Sequence, residues 1–149
     1  MSGGTALAVA MTAVAGLAGA VQVAIMSRLG ERIGVIEALA FATLLTALLS
    51  FGVLLAARQS IAAYPDGIRA PVWMWAAGIM GLIVILSITF ATPRIGAAAT
   101  IGLLIAGQLT MGAAIDRFGL FGLEQIPIGW ARVLGIVLLA VGAGLSLKK

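Results

Sequence analysis

Five apolar stretches, each about as long as a membrane-spanning helix, constrain this chain more than any other feature of its sequence. A helix needs about 20 apolar residues to cross the hydrocarbon core of a bilayer. The charged residues fall almost entirely between these stretches. We therefore predict an all-α integral membrane protein, a single transmembrane domain over residues 1–149. Its five transmembrane helices are expected at about residues 5–26, 34–57, 72–92, 95–114 and 128–147.

The composition excludes a water-soluble protein. Of the 149 residues, 62% are hydrophobic and 9% are charged, whereas soluble domains average about 45–50% apolar and about 25% charged residues. A chain of this length leaves much of its surface wet and has no interior large enough for so many apolar side chains. The sequence has no Cys and no His, so we expect no disulfide, no metal site and no cofactor.

The ends of the spans are marked by prolines and charges. We expect all four prolines, at positions 65, 71, 93 and 127, in loops or at helix starts, where a missing N–H is tolerated. No Lys or Arg precedes the first apolar stretch, and this stretch is longer than the about 7–15 residues of a signal-peptide core. It is therefore predicted to be a retained span.

The basic residues are divided almost equally between the two sides of the membrane. Five spans place the termini on opposite sides, and Lys and Arg in short loops normally set the orientation. The side of the N-terminus carries Arg58, Arg69, Arg117 and Arg132, and the other side carries Arg28, Arg32, Arg94, Lys148 and Lys149. One interpretation is a weakly biased protein with a single orientation. The other is a chain that inserts in both orientations and pairs with an inverted copy of itself, as in inverted-repeat transporters.

The aromatic residues fit the second interpretation. Trp73, Trp75, Trp130 and Tyr64 all fall on the side of the N-terminus. Trp and Tyr usually mark both membrane interfaces, and an antiparallel pair supplies a belt to each one. A chance grouping of three Trp residues is the alternative.

Small residues recur at helical spacing in four of the predicted spans. Such faces allow close helix packing in lipid, in a structural bundle as well as in a transporter. The residues are Ala15, Ala18 and Gly19 in the first span, Gly78 and Gly81 in the third, Ala98, Gly102 and Ala106 in the fourth, and Gly135, Gly142 and Gly144 in the fifth.

Few polar side chains lie within the spans. Glu37, the one acid inside a span, either interacts with the start of its own helix or binds a proton or cation in a wet cavity. Gln22 and Gln108 either join two helices by hydrogen bonds or contact a solute. Arg94 is expected to extend toward the headgroups. Hydroxyls within the spans are expected to bond to their own helix carbonyls; they are Ser50, Ser87, Thr89, Thr100 and Thr110.

No catalytic group emerges from the sequence. No span contains paired carboxylates or a nucleophile with a base, and there is no phosphate-binding loop. Asp116 and Glu124 are predicted to lie solvated in a loop. The protein is therefore not expected to be an enzyme, and no basic cluster suggests a nucleic-acid partner.

Several segments together carry a resemblance to a known family. They are residues 22–34 (QVAIMSRLGERIG), 75–81, 93–96 (PRIG), 106–109 (AGQL), 116–122 (DRFGLFG), Pro127 and 132–135 (RVLG). In order and spacing they resemble a bacterial family of five-helix proteins within the drug/metabolite transporter (DMT) superfamily. Met26 stands where this family often has Asn, so no role of that Asn is transferred to this chain.

The resemblance implies half of a ten-helix DMT-type fold, completed by an antiparallel homodimer in the bacterial inner membrane. By analogy, the first, third and fourth helices of each copy line a shared cavity, with Gln22, Glu37, Trp75 and Gln108 as candidate substrate-binding residues and Glu37 as candidate coupling-ion site. The expected function is secondary transport of a small metabolite or drug-like solute by alternating access. The alternative is a small structural or accessory subunit, or half of a heterodimeric carrier.

Overall fold

The computed structural model describes residues 3–147 as a set of helices, and this part of the chain contains no strand. Lys148 and Lys149, which entered the charge count, lie outside the described residues. The helices are α1 (Gly3–Ile33), α2 (Val35–Arg58), α3 (Tyr64–Ile68), α4 (Val72–Ile95), α5 (Ala97–Phe118) and α6 (Trp130–Ser146), with a 3₁₀ turn at Leu120–Gly122.

Four of the five predicted spans are confirmed by length and composition. Among the described residues, α1, α2, α4 and α5 are long and apolar enough to cross a membrane. The predicted fifth span contains α6, an apolar helix of 17 residues. It begins only at Trp130 because Pro127 and Gly129 precede it and Gly129 has an extended backbone. Its membrane crossing stays a prediction.

Single glycines separate consecutive long helices at two corners. Gly34, between α1 and α2, has φ 101°, and Gly96, between α4 and α5, has φ 84°. Side chains disfavour these backbone conformations, and glycine adopts them without steric cost. The chain therefore turns between two spans without a loop at each corner.

Helix α1 is longer than its predicted span. It continues from Met26 to Ile33, because no glycine with positive φ or proline interrupts it before Gly34. On this extension, Arg28 and Glu31 form an ion pair at 3.0 Å with both side chains exposed. At about 1.5 Å per residue, its 31 residues measure about 45 Å. This exceeds the hydrocarbon core of about 30 Å, so α1 must tilt or project from it.

Pro93 lies inside α4, so the prediction that all prolines lie in loops or at helix starts is wrong for this residue. Proline has no N–H and cannot donate to the carbonyl of Thr89, four residues earlier. Only two helical residues follow it, and the corner is closed by a bond from the Gly96 N–H to the Thr92 carbonyl at 2.9 Å. The helix thus loses one bond near its end. The other three prolines are placed as predicted.

The contacts divide the chain into two compact units, Met1–Ala24 with Ala91–Lys149, and Ile25–Phe90. In the second unit, the end of α1 packs against α4 at Gly30, where a methyl group would lie 2.5 Å from the Thr89 Cγ2 atom. The rings of Phe51 on α2 and Tyr64 on α3 meet edge to face, with centroids 6.0 Å apart. This aromatic contact holds the short helix α3 against the end of α2.

In the first unit, α5 packs closely against α6. A methyl group on Gly102 would lie 3.0 Å from Cβ and 3.2 Å from Cα of Ala143, which is 3% exposed. The absence of a side chain at position 102 therefore sets the separation of the two helices. This confirms, for one of the predicted small-residue faces, that close packing is its role.

Asp116 is helical and paired, so its predicted place in a solvated loop is wrong. It lies in the last turn of α5, and its Oδ2 atom accepts a hydrogen bond of 2.7 Å from Arg132 on α6. Both side chains are partly buried. The Asp116 carbonyl also accepts a bond of 2.8 Å from the Ile126 N–H, which returns the connecting segment to the end of α5. A partner 16 residues away cannot be inferred from local spacing.

Breaking this ion pair is expected to loosen the junction of α5 and α6. Asp116→Asn should lower the free energy of unfolding by about 1 kcal/mol, since ion pairs with substantial solvent exposure contribute little. The measurement is a double-mutant cycle with Arg132→Gln in detergent micelles. A coupling energy of zero would contradict the assignment, and Arg28→Gln, which breaks the more exposed pair, is the matched control.

Candidate functional site

The four predicted site residues are distributed over both compact units and are all exposed in the single chain. Gln22 on α1 and Gln108 on α5 belong to the first unit, and Glu37 on α2 and Trp75 on α4 belong to the second. No hydrogen bond joins Gln22 to Gln108 within the described part of the chain. The single chain therefore presents these groups outward, and their joint role stays a prediction.

Glu37 is the third residue of α2 and folds back over the corner that precedes the helix. A methyl group on Gly34 would collide with the Glu37 carboxylate, so this carboxylate lies against the Gly34 backbone. A negative charge in the first turn interacts favourably with the helix N-terminus. This contact supports the interpretation of Glu37 as a helix-start acid. Because its side chain is exposed, the carboxylate also remains accessible to a solute or a cation.

Trp75 lines an open apolar groove in the second unit, which we call the interfacial groove. The groove has a volume of about 610 Å³ and lies where α2 ends and α4 begins, next to α3. Its lining residues are Leu54, Ser60, Ile61, Ala63, Tyr64, Gly67, Ile68, Ala70, Met74 and Trp75. Small-molecule pockets measure about 300–1,000 Å³, so the groove is large enough for a ligand.

Local chemistry explains how the interfacial groove forms. Helix α2 ends in a left-handed residue, Gln59, with φ 50°, whose N–H bonds to the Leu55 carbonyl at 2.9 Å. Pro65 stands in the first turn of α3, where its missing N–H costs nothing. The contact between Tyr64 and Phe51 then fixes α3 beside α2. As a result, the segment between α2 and α4, which the sequence predicts to be a loop, forms one wall of the groove.

The sequence does not predict the interfacial groove, although it predicts Trp75 as a substrate-binding residue. The signal available in the sequence was a helix start, Pro65 followed by Asp66, between apolar residues. Such a short helix depends on contacts such as that between Tyr64 and Phe51 of α2 rather than on its own propensity, so it is not evident from the pattern alone.

The hydroxyls within the long helices are occupied by their own backbones, as predicted. Each of Ser50, Ser87, Thr89, Thr100 and Thr110 donates to a carbonyl three or four residues earlier, at 2.7 to 3.0 Å. Thr92 differs, since its buried Oγ1 has no hydrogen-bond partner among the described residues. Among the predicted site residues, Gln22, Glu37 and Gln108 keep polar atoms that can bind a solute.

In three of the four predicted small-residue faces, the glycines have no other helix close by among the described residues. A methyl group added at these positions would find no atom of the described chain within 4 Å, in contrast to Gly30 and Gly102. The open positions are Gly19 on α1, Gly78 and Gly81 on α4, and Gly135, Gly142 and Gly144 on α6. These faces are free to receive another helix or lipid.

The described residues contain no cluster of three or more carboxylates that could hold a metal ion. Comparison with protein families gives a match over most of the chain. Residues 7–145 match the model of the family described as "Putative inner membrane exporter, YdcZ". No curated protein and no solved structure matches the chain.

Proposed function

The chain belongs to the YdcZ family of the DMT superfamily, and from this premise we propose that it exports a small metabolite or drug-like solute as a secondary transporter. Its family and its apolar helices together identify it as a multi-pass inner membrane protein with a transporter role. The proposal adds the working unit, an antiparallel homodimer in which two copies enclose one cavity. It also adds the mechanism, alternating access.

The open glycine faces are the observation that carries this proposal. Between helices in lipid there is little hydrophobic driving force, and small residues serve close backbone approach. Gly78 and Gly81 on α4 and Gly142 on α6 have no neighbour within 4 Å in the described chain. A second copy of the chain could pack a helix closely against these glycines, which is the contact that small residues allow.

The exposed amides support the same arrangement. Gln22 and Gln108 are exposed in the mostly apolar, uncharged parts of α1 and α5. An amide that faces hydrocarbon without a partner costs several kcal/mol, estimated at about 2–7. A wet cavity between two copies would relieve this cost and would give a solute two hydrogen-bonding groups from each chain.

The odd number of spans makes the pair an inverted repeat. Helix α6 has 17 residues and measures about 26 Å, close to the hydrocarbon thickness of about 30 Å. The apolar residues that flank it, Ile128 and Leu147, extend the segment, and local thinning of the bilayer accommodates the remainder. With α6 as the fifth span, two chains in opposite orientation form ten helices related by an axis in the membrane plane. Such repeats alternate access by rocking around a central site.

Glu37 and Trp75 have assigned roles in this scheme. Glu37 is the coupling-ion candidate and also a substrate contact, and Trp75, the fourth residue of α4, contacts the solute near the cavity entrance. Gln108 lies deeper, near the middle of its span, and together with Gln22 and the Glu37 carboxylate it holds the polar groups of the solute. All four residues act from both copies, because the two chains are identical.

Neutralising Glu37 is expected to reduce transport without a matching loss of protein. Glu37→Gln keeps the size of the side chain but removes its negative charge and its proton-binding capacity. The solute is first identified as the metabolite whose level in the medium rises on overexpression. Its flux is then measured in proteoliposomes with and without a pH gradient, and the expected loss is about tenfold or more.

A matched acid outside the spans serves as the control for Glu37. Glu124 is exposed in the segment before α6, and Glu124→Gln should leave flux unchanged. Equal flux for wild type and Glu37→Gln would remove the coupling role and leave Glu37 as a helix-start acid.

Single cysteines test the two orientations directly, since the chain has no Cys. Ser27 is 7% exposed and would hide its thiol from any reagent, so Ile33, 41% exposed, is the better site at the end of α1. Ala63 is exposed at the opposite ends of the spans. An impermeant thiol reagent on intact cells should label part of the population of Ile33→Cys and part of the population of Ala63→Cys.

Labelling at only one of the two positions would show one orientation and exclude the inverted homodimer. It would favour the second candidate function, an accessory subunit or half of a heterodimeric carrier. The open glycine faces suit a different partner chain equally well. In that case the purified chain should be monomeric and should gain stability only with the other protein.

A further inference from the structure

We propose that the interfacial groove binds an anionic phospholipid, with an acyl chain in the groove and the headgroup phosphate held by Arg58 and Arg69. This site shares Trp75 with the entrance of the proposed solute cavity, but the binding of a lipid to it does not depend on transport. Secondary transporters bind their solutes near the middle of the membrane, whereas the groove lies at the ends of the spans, between the last turn of α2 and the first turn of α4.

The lining of the groove selects hydrocarbon. Seven of its residues are aliphatic, glycine or methionine, and two are the aromatic residues Tyr64 and Trp75. The remaining residue, Ser60, already accepts a hydrogen bond of 3.1 Å from the Ala62 N–H. Among the described residues, no charged side chain lines the groove. A polar solute would leave its groups unsatisfied there, whereas an acyl chain loses nothing.

The rim of the groove selects negative charge. Arg58 lies one helical turn after the lining residue Leu54, and residues four apart share a helix face. Arg69 stands between two lining residues, Ile68 and Ala70. Both arginines are exposed, and neither belongs to an ion pair in the described part of the chain.

Charge complementarity therefore identifies the occupant. Asp66 is the single carboxylate between residues 54 and 75, so the rim carries a net positive charge. Guanidinium groups bind phosphate with paired hydrogen bonds, and Tyr and Trp favour the headgroup level. An anionic phospholipid satisfies both parts of the site with one molecule.

Fluorescence quenching measures this binding at one tryptophan. The full chain with Trp73→Phe and Trp130→Phe retains only Trp75, in the groove wall. It is reconstituted in phosphatidylcholine vesicles that contain a small fraction of brominated phosphatidylglycerol or, separately, of brominated phosphatidylcholine. We expect the anionic quencher to be enriched at Trp75 about fivefold or more, as one arginine near an anionic headgroup contributes about this factor.

Three matched variants assign the effect to the groove. A chain that retains only Trp130, at the start of α6, should show no enrichment. Arg58→Gln with Arg69→Gln should abolish the enrichment at Trp75. Gly67→Leu should abolish it by filling the groove, because Gly67 lines the groove and a Cβ at this position meets no atom of the described residues within 4 Å.

The control for the filled groove is Gly52→Leu on α2, an equally open position outside the lining, which should leave the enrichment intact. Equal quenching by both lipids at Trp75, enrichment that equals that at Trp130, or enrichment that survives the double arginine substitution would each overturn the proposal. Flux does not enter the measurement, so loss of the transporter proposal would leave this result unaffected.

Discussion

Replacing Gly102 by leucine is expected to separate α5 from α6 and to leave little folded protein. The first carbon of a new side chain would lie 3.0 Å from Cβ and 3.2 Å from Cα of Ala143. The second of these atoms belongs to the backbone of α6, so the conflict cannot be relieved by a rotamer change. Overpacking of a close contact costs about 1–3 kcal/mol, and a leucine against backbone should reach or exceed the upper value. The measurement is the unfolding midpoint in mixed micelles.

The same helix offers a matched control and a rescue. Gly107→Leu meets no atom of the described chain within 4 Å, and leucine has the higher helix propensity, so its stability should equal or exceed that of wild type. Gly102→Ala should cost less than leucine, and Ala143→Gly should recover part of that loss by removing the shorter contact, with the Ala143 Cβ. Equal stability of Gly102→Leu and Gly107→Leu would contradict the close crossing.

Fixing the orientation of the chain is expected to abolish dimer formation until two opposite variants are combined. Arg32→Gln with Gln59→Lys and Ala62→Lys moves the excess of positive charge to the side of the N-terminus. Arg117→Gln with Ile33→Lys moves it to the other side. Lys and Arg in short loops decide orientation, so each variant should insert in one direction only and lack an inverted partner.

Co-purification of two differently tagged copies gives the readout. Copies of one variant should not capture each other above background, whereas one copy of each variant should associate as fully as two wild-type copies do. The control pair carries Gln59→Asn and Ala62→Ser, which change the same loop without charge and should behave as wild type. Capture between copies of a single variant would show a parallel assembly and exclude the antiparallel pair.

The sequence predicts the spans well and their ends less well. Apolar length placed α2 within one residue at each end, because Gly34 and Arg58 mark its limits. Helix α1 continues beyond its predicted end because its polar last turns still form backbone bonds and the Arg28–Glu31 pair. Pro93 was expected to stop α4, yet near a helix end it removes only one bond. Hydropathy predicts which residues lie in the hydrocarbon core, but it does not predict the residue at which a helix ends.

The candidate site was predictable only in part. The polar residues inside the spans are few, so Gln22, Glu37 and Gln108 stand out by composition alone. The pairing of Asp116 with Arg132 and the groove beside Trp75 depend on contacts between distant segments. The spacing of residues along one helix does not show which residue of another helix packs against them. A solute cavity shared by two chains is harder still to predict, because it also depends on contacts between the chains.

The unequal lengths of α1 and α6 bear on the membrane around the protein. One is about 45 Å long and the other about 26 Å, so no single bilayer matches both. With α6 as the proposed fifth span, lipids beside it would compress, and those beside α1 would stretch or let it tilt. The bilayer around the protein would therefore vary in thickness. The acyl-chain length of the surrounding lipids would then shift the equilibrium between the two conformations of the proposed transporter.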